Sequence, residues 1–502
     1  MTSPFEQRQH RFMQGIDPEE LKRKKEEDSA ALRKDLRTQQ AQKRRHISEV
    51  EVDWIDTDKV YKENYDLADL RELVEASSSH ENRLFVAQGL RKMLSLTDPP
   101  IQQVVDAGFV FKCVEWISSF DYPQLQYESA WILTNIASGT PMQCKSIIDK
   151  GAIPLIVKLL SSSSESVRDQ AAWVLGNISA ESAYNRDLVI SAGALELLMK
   201  SAESANRISM LKNVSWALSN LCRHKPAPDF EIVKVVIPTL AQLCIDHDIE
   251  QILQDITWAF SYLSYGSEYK VEHLIHSQVI PRMVELMLHP CYEVQLPAIR
   301  TVGNLTTGTE AQTQHAIDNG AIEKLKTLMH SARKMILKES VWLISNVAAG
   351  TKAQVDSLIT ADLFPDVVRV GLSSNEEIEK EACYAIANAA SNARPDQVEY
   401  LVRAGVFNLL AHTLKAKDSS AVLVSLHGLG ALFEAGKKKN EDENPYVIAF
   451  EESGGLSNLE HCQMHENEDI YEKASELLCT YFTIEEEDTD ALAAAINMIS
   501  RE

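Results

Sequence analysis

A pair of residues four positions apart recurs along this chain with a period of 42 or 43 residues. The first position holds Trp131, Trp173, Trp216, Trp258, Arg300, Trp342 and Tyr384, and the second holds Asn135, Asn177, Asn220, Tyr262, Asn304, Asn346 and Asn388. A period near 42 with two or three helices per unit is the signature of armadillo and HEAT solenoids. The repeat therefore predicts an array of stacked helical units and argues against one compact core in a chain of 502 residues.

Glycine marks a second point in each period. It precedes an apolar segment at Gly108, Gly151, Gly193, Gly320 and Gly405, where it suits a left-handed turn between two helices. In the segment "SVRDQAAWVLGNIS", apolar residues recur at steps of three and four. We therefore predict an all-α fold, a right-handed superhelical solenoid of about ten armadillo repeats with a basic N-terminal tail.

The markers also suggest boundaries along the chain. We predict a basic segment at 1–50, a linker at 51–74, the armadillo repeats at 75–485 and an acidic tail at 486–502. The outermost repeats carry the helical pattern without the aromatic–asparagine pair. They are therefore expected to cap the array rather than to bind a ligand.

Charge is distributed unevenly. The chain has a net charge of −23, but residues 1–50 hold 12 Lys and Arg against 9 Asp and Glu. An acidic body would repel phosphate groups and anionic lipid, so nucleic acid and membranes are not the expected partners.

The N-terminus has no apolar signal region, and the eight cysteines form no C-x-x-C pair. His461, Cys462 and His465 lie close in sequence, but three such residues without a fourth ligand do not predict a metal site.

Residues four apart lie on one face of a helix, so stacked repeats would align the pairs into a column of indoles and a column of amides. One such pair is commonly a core aromatic with an interhelical amide. Seven in register favour a surface for an extended peptide, because amides can bind a backbone and indoles can flank cationic side chains. Carboxylates that could complete such sites are expected one turn before or after the columns, at Glu128, Glu181, Asp255, Glu310, Glu339 and Glu381.

The seven aromatic–asparagine positions, here called the ladder with one pair per rung, are interrupted twice. Tyr262 replaces the fourth asparagine, and Arg300 replaces the fifth tryptophan, where its cation would repel a basic ligand. The ladder therefore predicts a larger and a smaller site, and a ligand with two basic clusters. The chain contains such a segment itself: "KRKK" at 22–25 and "KRR" at 43–45 are separated by 17 residues. As a tethered competitor, this segment is expected to occupy the groove.

Three groups of motifs stand out: "RFMQGID", "KRKKEE", "LRKDLR" and "KRRHI" near the N-terminus; "WILTNIASGT", "WVLGNISAES" and "SWALSNLCRHK" in the first ladder repeats; and "TVGNLTTGTE", "ESVWLISNVAAGT" and "EACYAIANAA" in the later ones. In these motifs the chain resembles the importin-α family. The first group looks like the family's importin-β-binding domain, the second like its major site and the third like its minor site. The resemblance implies a nuclear import adaptor for proteins with basic localisation signals.

The resemblance also assigns residues. For the major site it implies Trp131, Asn135, Gly139, Cys144, Trp173, Asn177, Glu181, Asn213, Trp216, Asn220 and Asp255. For the minor site it implies Asn304, Thr307, Glu310, Glu339, Trp342, Asn346, Glu381, Tyr384 and Asn388. For the importin-β-binding, autoinhibitory segment it implies Lys22, Arg23, Lys24, Lys25, Arg33, Lys34, Lys43, Arg44 and Arg45.

Three of these positions depart from the family pattern. Glu181 stands in place of an aspartate and Cys144 in place of a threonine, both of which bind the key lysine of a signal. Tyr384 replaces the minor-site tryptophan and is expected to weaken that slot.

The implied partners are cargo proteins with basic signals, importin-β and an export receptor of the CAS type that would meet the last repeat. The implied protein shuttles between cytoplasm and nucleus, is not an enzyme, and needs no cofactor or metal. A catenin-like armadillo scaffold is the alternative, but its groove would be basic. An enzyme is disfavoured because the sequence has no P-loop, G-x-S-x-G or H-E-x-x-H motif.

Overall fold

The computed structural model describes residues 43–44, 66–76, 79–391, 393–440 and 443–482. Within these ranges the regular elements are helices and no strand occurs, so the all-α prediction is confirmed. The expectations for Lys22–Lys25, Arg33, Lys34, Arg45 and the tail at 486–502 lie outside the described residues. The described helices form two compact units, here called the first unit (up to Thr301) and the second unit (from Val302).

The first unit contains α1 to α17. Their bounds are α1 Leu67–Ala76, α2 His80–Leu94, α3 Ile101–Asp106, α4 Phe109–Trp116, α5 Pro123–Ala137, α6 Pro141–Ile148, α7 Ala152–Leu159, α8 Glu165–Glu181, α9 Ala183–Ser191, α10 Ala194–Glu203, α11 Ile208–Leu221, α12 Phe230–Val233, α13 Ile237–Asp246, α14 Glu250–Leu263, α15 Glu268–His276, α16 Ile280–Leu286 and α17 Tyr292–Leu305. A 3-10 turn, Lys234–Val236, joins α12 to α13. The last turn of α17 belongs to the second unit, and α1 crosses the boundary predicted at residues 74 and 75.

The second unit contains α18 to α29. Their bounds are α18 Glu310–Asp318, α19 Ala321–Leu328, α20 Lys334–Ala348, α21 Lys352–Thr360, α22 Phe364–Ser373, α23 Glu376–Ser391, α24 Pro395–Arg403, α25 Val406–Thr413, α26 Ser419–Lys439, α27 Pro445–Glu452, α28 Leu456–His461 and α29 Glu468–Tyr481. A 3-10 turn, Cys462–Met464, follows α28. None of the described helices is both long and apolar enough to cross a membrane.

One three-helix motif generates both units. In the repeat formed by α6, α7 and α8, two short helices precede a long third helix, and the third helices of successive repeats pack side by side. The turn between the first two helices requires a left-handed residue, and Gly151 supplies it with φ of 71°. The glycine marker thus corresponds to a real turn. In two other repeats the equivalent turn is occupied by Gln278 and Asp362, with φ of 59° and 51°. The glycine is missing there because these residues adopt the left-handed conformation instead.

The core runs through each stack because every third helix is buried on nearly all sides. Fully buried residues of α5 include Leu125, Ile132, Leu133 and Ile136. Polar contacts at the helix starts join neighbouring repeats as well. The Glu165 carboxylate accepts the backbone N–H groups of Asn206 and Arg207 at 2.8 and 2.9 Å, and so ties α8 to the start of α11.

Candidate peptide-binding groove

The marker pairs lie on the third helices, as their spacing requires. In the first unit they are on α5, α8, α11 and α14, and in the second unit on α20 and α23. On α17, Arg300 belongs to the first unit and Asn304 to the second. Trp131, Trp216 and Trp258 are at most 5% exposed, whereas Trp173 is only partly buried. The first unit therefore presents a row of aromatic rings, and two residues of the chain's own basic segment, Lys43 and Arg44, lie against it.

Lys43 occupies a slot made by two repeats. Its Nζ donates to the carbonyl oxygen of Gly139 at 2.9 Å and pairs with the carboxylate of Glu181. Gly139 follows the end of α5, where the helix dipole adds partial negative charge and so favours a cation.

Cys144 is fully buried near this slot, and burial raises the pKa of its thiol to about 11. It is therefore a neutral thiol at neutral pH, and Asn185 Nδ2 lies 4.0 Å from its sulfur. Of the residues expected at this slot, Gly139 (through its carbonyl oxygen) and Glu181 (through its carboxylate) bind the Lys43 ammonium group directly.

The backbone of Arg44 is bound by the second rung of the ladder, which consists of Trp173 and Asn177. The Asn177 Oδ1 accepts the Arg44 N–H at 2.9 Å, and Asn177 Nδ2 donates to the Arg44 carbonyl oxygen at 2.9 Å. Trp173 Nε1 donates to the same carbonyl at 2.8 Å. These bonds involve only backbone atoms of the bound segment, so this rung can hold an extended peptide whatever its side chains.

The Arg44 side chain reaches the next two rungs. Its guanidinium carbon lies 4.6 Å from the ring centre of Trp216, and Nη2 lies 2.7 and 3.0 Å from the two oxygens of Asp255. A cation between an aromatic face and a buried carboxylate is bound more strongly than at an open surface, because little water competes. The structure thus brings together Trp173, Asn177, Trp216 and Asp255 around one arginine.

The ladder asparagines have a second set of partners that the sequence reading did not anticipate. Their Nδ2 groups donate to main-chain oxygens of the preceding repeat: Asn135 to Leu94, Asn177 to Thr134, Asn220 to Gly176, Asn346 to Gly303 and Asn388 to Ser345. The repetition of asparagine therefore also reflects the stacking of repeats. Asn177 serves both purposes, because its remaining donor and acceptor bind Arg44.

Small residues beneath the aromatic rings were also missed. A Cβ on Gly176 would lie 2.5 Å from Trp216 Cε3, and one on Gly303 would overlap the Trp342 ring. Each glycine therefore seats the indole of the following repeat. The signal was present in the sequence, since the residue before each second-position marker is always small: Thr134, Gly176, Ser219, Ser261, Gly303, Ser345 and Ala387.

Asn213 does not contact Lys43 or Arg44 in the described hydrogen bonds. Its Nδ2 donates to Asp169 Oδ1 at 2.6 Å, and burial raises the pKa of Asp169 to about 6. Asp169 thus fixes the orientation of Asn213, a pairing that sequence spacing did not suggest.

In the second unit the predicted residues also gather on the third helices. Glu339, Trp342, Glu381 and Tyr384 are each at most 5% exposed, and the Asn304, Asn346 and Asn388 amides lie along the same faces. Thr307 Oγ1 donates to the Asn304 carbonyl oxygen at 2.8 Å, whereas Glu310 is exposed at the start of α18. Glu310 is therefore less closely associated with the aromatic column than the other carboxylates.

The described residues contain no cluster of His, Cys, Asp and Glu arranged to hold a metal ion. In the segment singled out in the sequence, Cys462 Sγ donates to the Leu414 carbonyl oxygen at 3.7 Å, and His465 Nδ1 accepts the Asn467 N–H at 3.0 Å. These two residues serve local packing and helix capping.

Fold and groove together define an armadillo-repeat protein whose first unit binds two basic residues of its own chain, Lys43 and Arg44. Sequence comparison agrees: residues 140–180, 182–223, 267–307 and 309–349 match the armadillo/beta-catenin-like repeat, 444–495 the atypical Arm repeat, and 8–88 the importin beta binding domain. An engineered protein of known crystal structure, 24% identical, has the same fold over 82% of this chain and 98% of its own, with a TM-score of 0.73.

The chain belongs to the importin-α family. It is 52% identical to importin subunit alpha-B of Dictyostelium discoideum, over 97% of this chain and 95% of the relative. It is 41% identical to importin subunit alpha-2 of Arabidopsis thaliana, over 96% of this chain and 93% of the relative. The expectation drawn from the sequence motifs is therefore confirmed at the level of family and fold.

Replacing Gly176 by Ala should weaken binding of a peptide with one basic cluster by roughly tenfold, because overpacking and a displaced Trp216 ring cost about 1–2 kcal/mol. Fluorescence anisotropy with a labelled peptide measures the change. Gly303→Ala is the matched control, since its added methyl group meets Trp342 in the second unit. Equal losses in the two variants would contradict a specific role for Gly176.

Binding should also depend on pH. Burial raises the pKa of Asp255 to about 6, although Arg44 opposes that rise. This pKa applies with Arg44 in place, so without the arginine the carboxyl group takes up its proton at a higher pH. Affinity should therefore fall as the pH drops from about 7 toward about 6 and level off below that, by up to about tenfold per pH unit for one linked proton. Asp255→Asn should remove most of this dependence.

The loss should not arise from unfolding. A carboxyl group whose pKa is higher in the folded chain than its unfolded value near 3.9 binds protons preferentially in the folded state, so between about pH 6 and 4 its protonation favours folding. The thermal midpoint of the free protein should therefore fall less in Asp255-containing protein than in Asp255→Asn as pH drops. A parallel fall of midpoint and affinity would contradict the assignment.

Proposed function

We propose that this protein is a nuclear import adaptor that binds the basic localisation signals of cargo proteins in its armadillo groove and links them to importin-β. The observation that carries the proposal is the binding of Lys43 and Arg44 by Glu181, Asn177 and Asp255. A groove that holds a lysine and an arginine of its own chain, through their side chains and through the backbone of the arginine, has the chemistry to hold the same residues of another protein.

Two further findings support the proposal. Relatives that cover nearly the whole chain are called importin subunit alpha, and residues 8–88 match an importin beta binding domain. That domain includes the basic segment from Lys22 to Arg45. The same segment would then bind either the groove or importin-β, so that importin-β would release the groove for cargo.

We assign the main basic cluster of a signal to the first unit. The proposed contacts are those of Lys43 and Arg44, with Gly139 and Glu181 for a lysine and Trp216 and Asp255 for an arginine. A second cluster would bind in the second unit at Glu339, Trp342, Asn346, Glu381, Tyr384 and Asn388. Because Tyr384 offers a smaller ring than tryptophan, we expect that site to be the weaker one.

The charge of the groove argues against the catenin-like alternative. Acidic ligands would have to approach the carboxylates of Glu181 and Asp255, which face the bound basic residues. Like charges at such distances repel, and partial burial reduces the screening by water. A ligand rich in Lys and Arg is therefore the better match.

We also propose that an export receptor of the CAS type binds the last repeats and returns the adaptor to the cytoplasm. The region concerned is the one that matches the atypical Arm repeat, residues 444–495. Co-purification of the full chain with such a receptor, compared with a chain ending at residue 443, tests this extension independently of cargo binding.

Removing residues 1–50 should tighten binding of a labelled bipartite basic peptide by at least about tenfold, because a tethered competitor acts at an effective concentration near the millimolar range. Titration of the full and shortened chains measures the change. The full chain carrying Lys43→Ala and Arg44→Ala should behave like the shortened one. Adding importin-β to the unmodified chain should have the same effect.

The outcomes separate the two parts of the proposal. Equal affinities of all three proteins for the peptide would remove the autoinhibition. Failure of the shortened chain to bind any basic peptide would remove the adaptor function itself. An acidic peptide of the same length serves as the negative control.

Replacing Trp173 and Asn177 together by Ala should weaken binding of a single-cluster peptide by about 1000-fold, since three hydrogen bonds to the ligand backbone and one aromatic wall are lost at about 1 kcal/mol each. The matched control is the same double substitution at Trp342 and Asn346. A loss confined to the second-unit variant would mean that the main cluster has been assigned to the wrong unit.

A further inference from the structure

Arg91 of α2 lies against the first ring of the ladder much as Arg44 lies against the third. Its guanidinium carbon is 4.8 Å from the ring centre of Trp131, and its Nε is 2.6 Å from a carboxylate oxygen of Glu128. For Arg44 the corresponding distances are 4.6 Å to Trp216 and 2.7 Å to Asp255. A residue of the folded repeats thus makes the same two kinds of contact, although Glu128 lies on the same helix as Trp131, whereas Asp255 lies one repeat beyond Trp216.

The two carboxylates hold equivalent places in their repeats. Glu128 precedes Trp131 by three residues, and Asp255 precedes Trp258 by three residues. Both positions lie one turn before a ladder ring, on the same helix face. The first unit therefore has a carboxylate at the equivalent position beside its first ring, and Arg91 occupies the space next to both.

Burial makes this arrangement unusual for a purely structural pair. Arg91 is 4% exposed and Glu128 is 5% exposed. Two buried charges lose nearly all of their hydration, and apolar residues of similar volume commonly give equal or better stability. Stability alone therefore gives little reason to place an arginine and a glutamate at this point.

We propose that Arg91 is a resident occupant of the first cation slot and thereby sets where the groove begins. The inference rests on the proposed function, because it concerns which side chains of a basic ligand are read. A ligand arginine cannot stack on the α2-facing side of Trp131, since Arg91 already covers it. Arg91 would then limit the number of basic ligand side chains that the first unit can bind.

The opposite end of the first unit has a related feature. The guanidinium carbon of Arg300 lies 5.4 Å from the ring centre of Trp258. The rings from Trp131 to Trp258 are thus flanked by an arginine of the fold at either end. Ligand cations are left with the spaces between those two rings, where Arg44 lies.

The test uses the full chain and three labelled peptides that share one four-residue basic cluster. The reference peptide has alanine on both flanks, and the other two carry one added arginine, at the N-terminal or the C-terminal flank. In the unmodified protein the added arginine should change affinity by less than threefold. In Arg91→Ala one of the two extended peptides should bind at least tenfold more tightly than the reference.

Two variants separate an opened slot from a general change in charge. Lys92→Ala removes a neighbouring positive charge and should show no preference for an extended peptide. Arg91→Lys keeps a cation in the slot and should also keep it closed. Glu128→Gln combined with Arg91→Ala should reduce the gain, because the carboxylate that would bind the new arginine is absent.

Folding is controlled within the same experiment. Arg91→Ala leaves Glu128 buried without its partner, whereas the double variant carries no stranded charge. Unchanged affinity for the reference peptide shows that the rest of the groove is intact. Added ethylguanidinium should fill the vacated slot in Arg91→Ala and abolish the preference for the extended peptide.

Two results would overturn the inference: no preference in a folded Arg91→Ala protein, or a tenfold preference already present in the unmodified protein. The second needs no variant, so the inference stays testable even if Arg91 is required for folding. Failure of the unmodified chain and of its Lys43→Ala, Arg44→Ala form to bind the reference peptide would instead contradict the proposed function.

Discussion

The bonds that five ladder asparagines make to the preceding repeat are the constraint on which the groove depends. In the first unit Asn135, Asn177 and Asn220 donate to main-chain oxygens one repeat earlier, at 3.0 to 3.2 Å. A side-chain amide can make this bond only if the third helices stack in one fixed register. The same register places the rings at regular intervals and aims the remaining amide atoms outward. Stacking and peptide binding are therefore two uses of one side chain, which is why neither can be changed alone.

The second feature of the groove is that its charges lie in partly dry surroundings. Asp255 is 6% exposed, and burial raises its pKa to about 6, so an unoccupied carboxylate there is costly. An arginine that pairs with it recovers part of that cost and also stacks on Trp216. The buried carboxylate thus discriminates: a cationic side chain is stabilised, whereas an apolar or acidic one leaves the charge without a partner. The Arg91–Glu128 pair follows the same rule within the fold.

Much of this could be read from the sequence because it is periodic. The 42-residue spacing predicted the repeats, and the spacing of four predicted that Trp173 and Asn177 share one helix face, where both donate to the Arg44 carbonyl oxygen. The contacts that could not be predicted from the sequence are those between side chains of different repeats that do not recur at the repeat period. Arg91 is unremarkable in α2 until Trp131 packs against it, and Asp169 gives no hint that it orients Asn213. Gly176 appeared to be an ordinary helical residue, although it seats the ring of the next repeat.

The sequence by itself determined the helical class, the repeat and the faces that carry aromatic and amide side chains, because these follow from spacings of 42 and of four residues along one chain. It also identified Lys43 and Arg44 as basic residues suited to such a face. Only the tertiary structure decided which amide atoms were left for a ligand, since the others bind the neighbouring repeat. It likewise decided that the first ring is already covered by Arg91. Both depend on distances between groups that are 40 or more residues apart in the chain, and no local pattern encodes those distances.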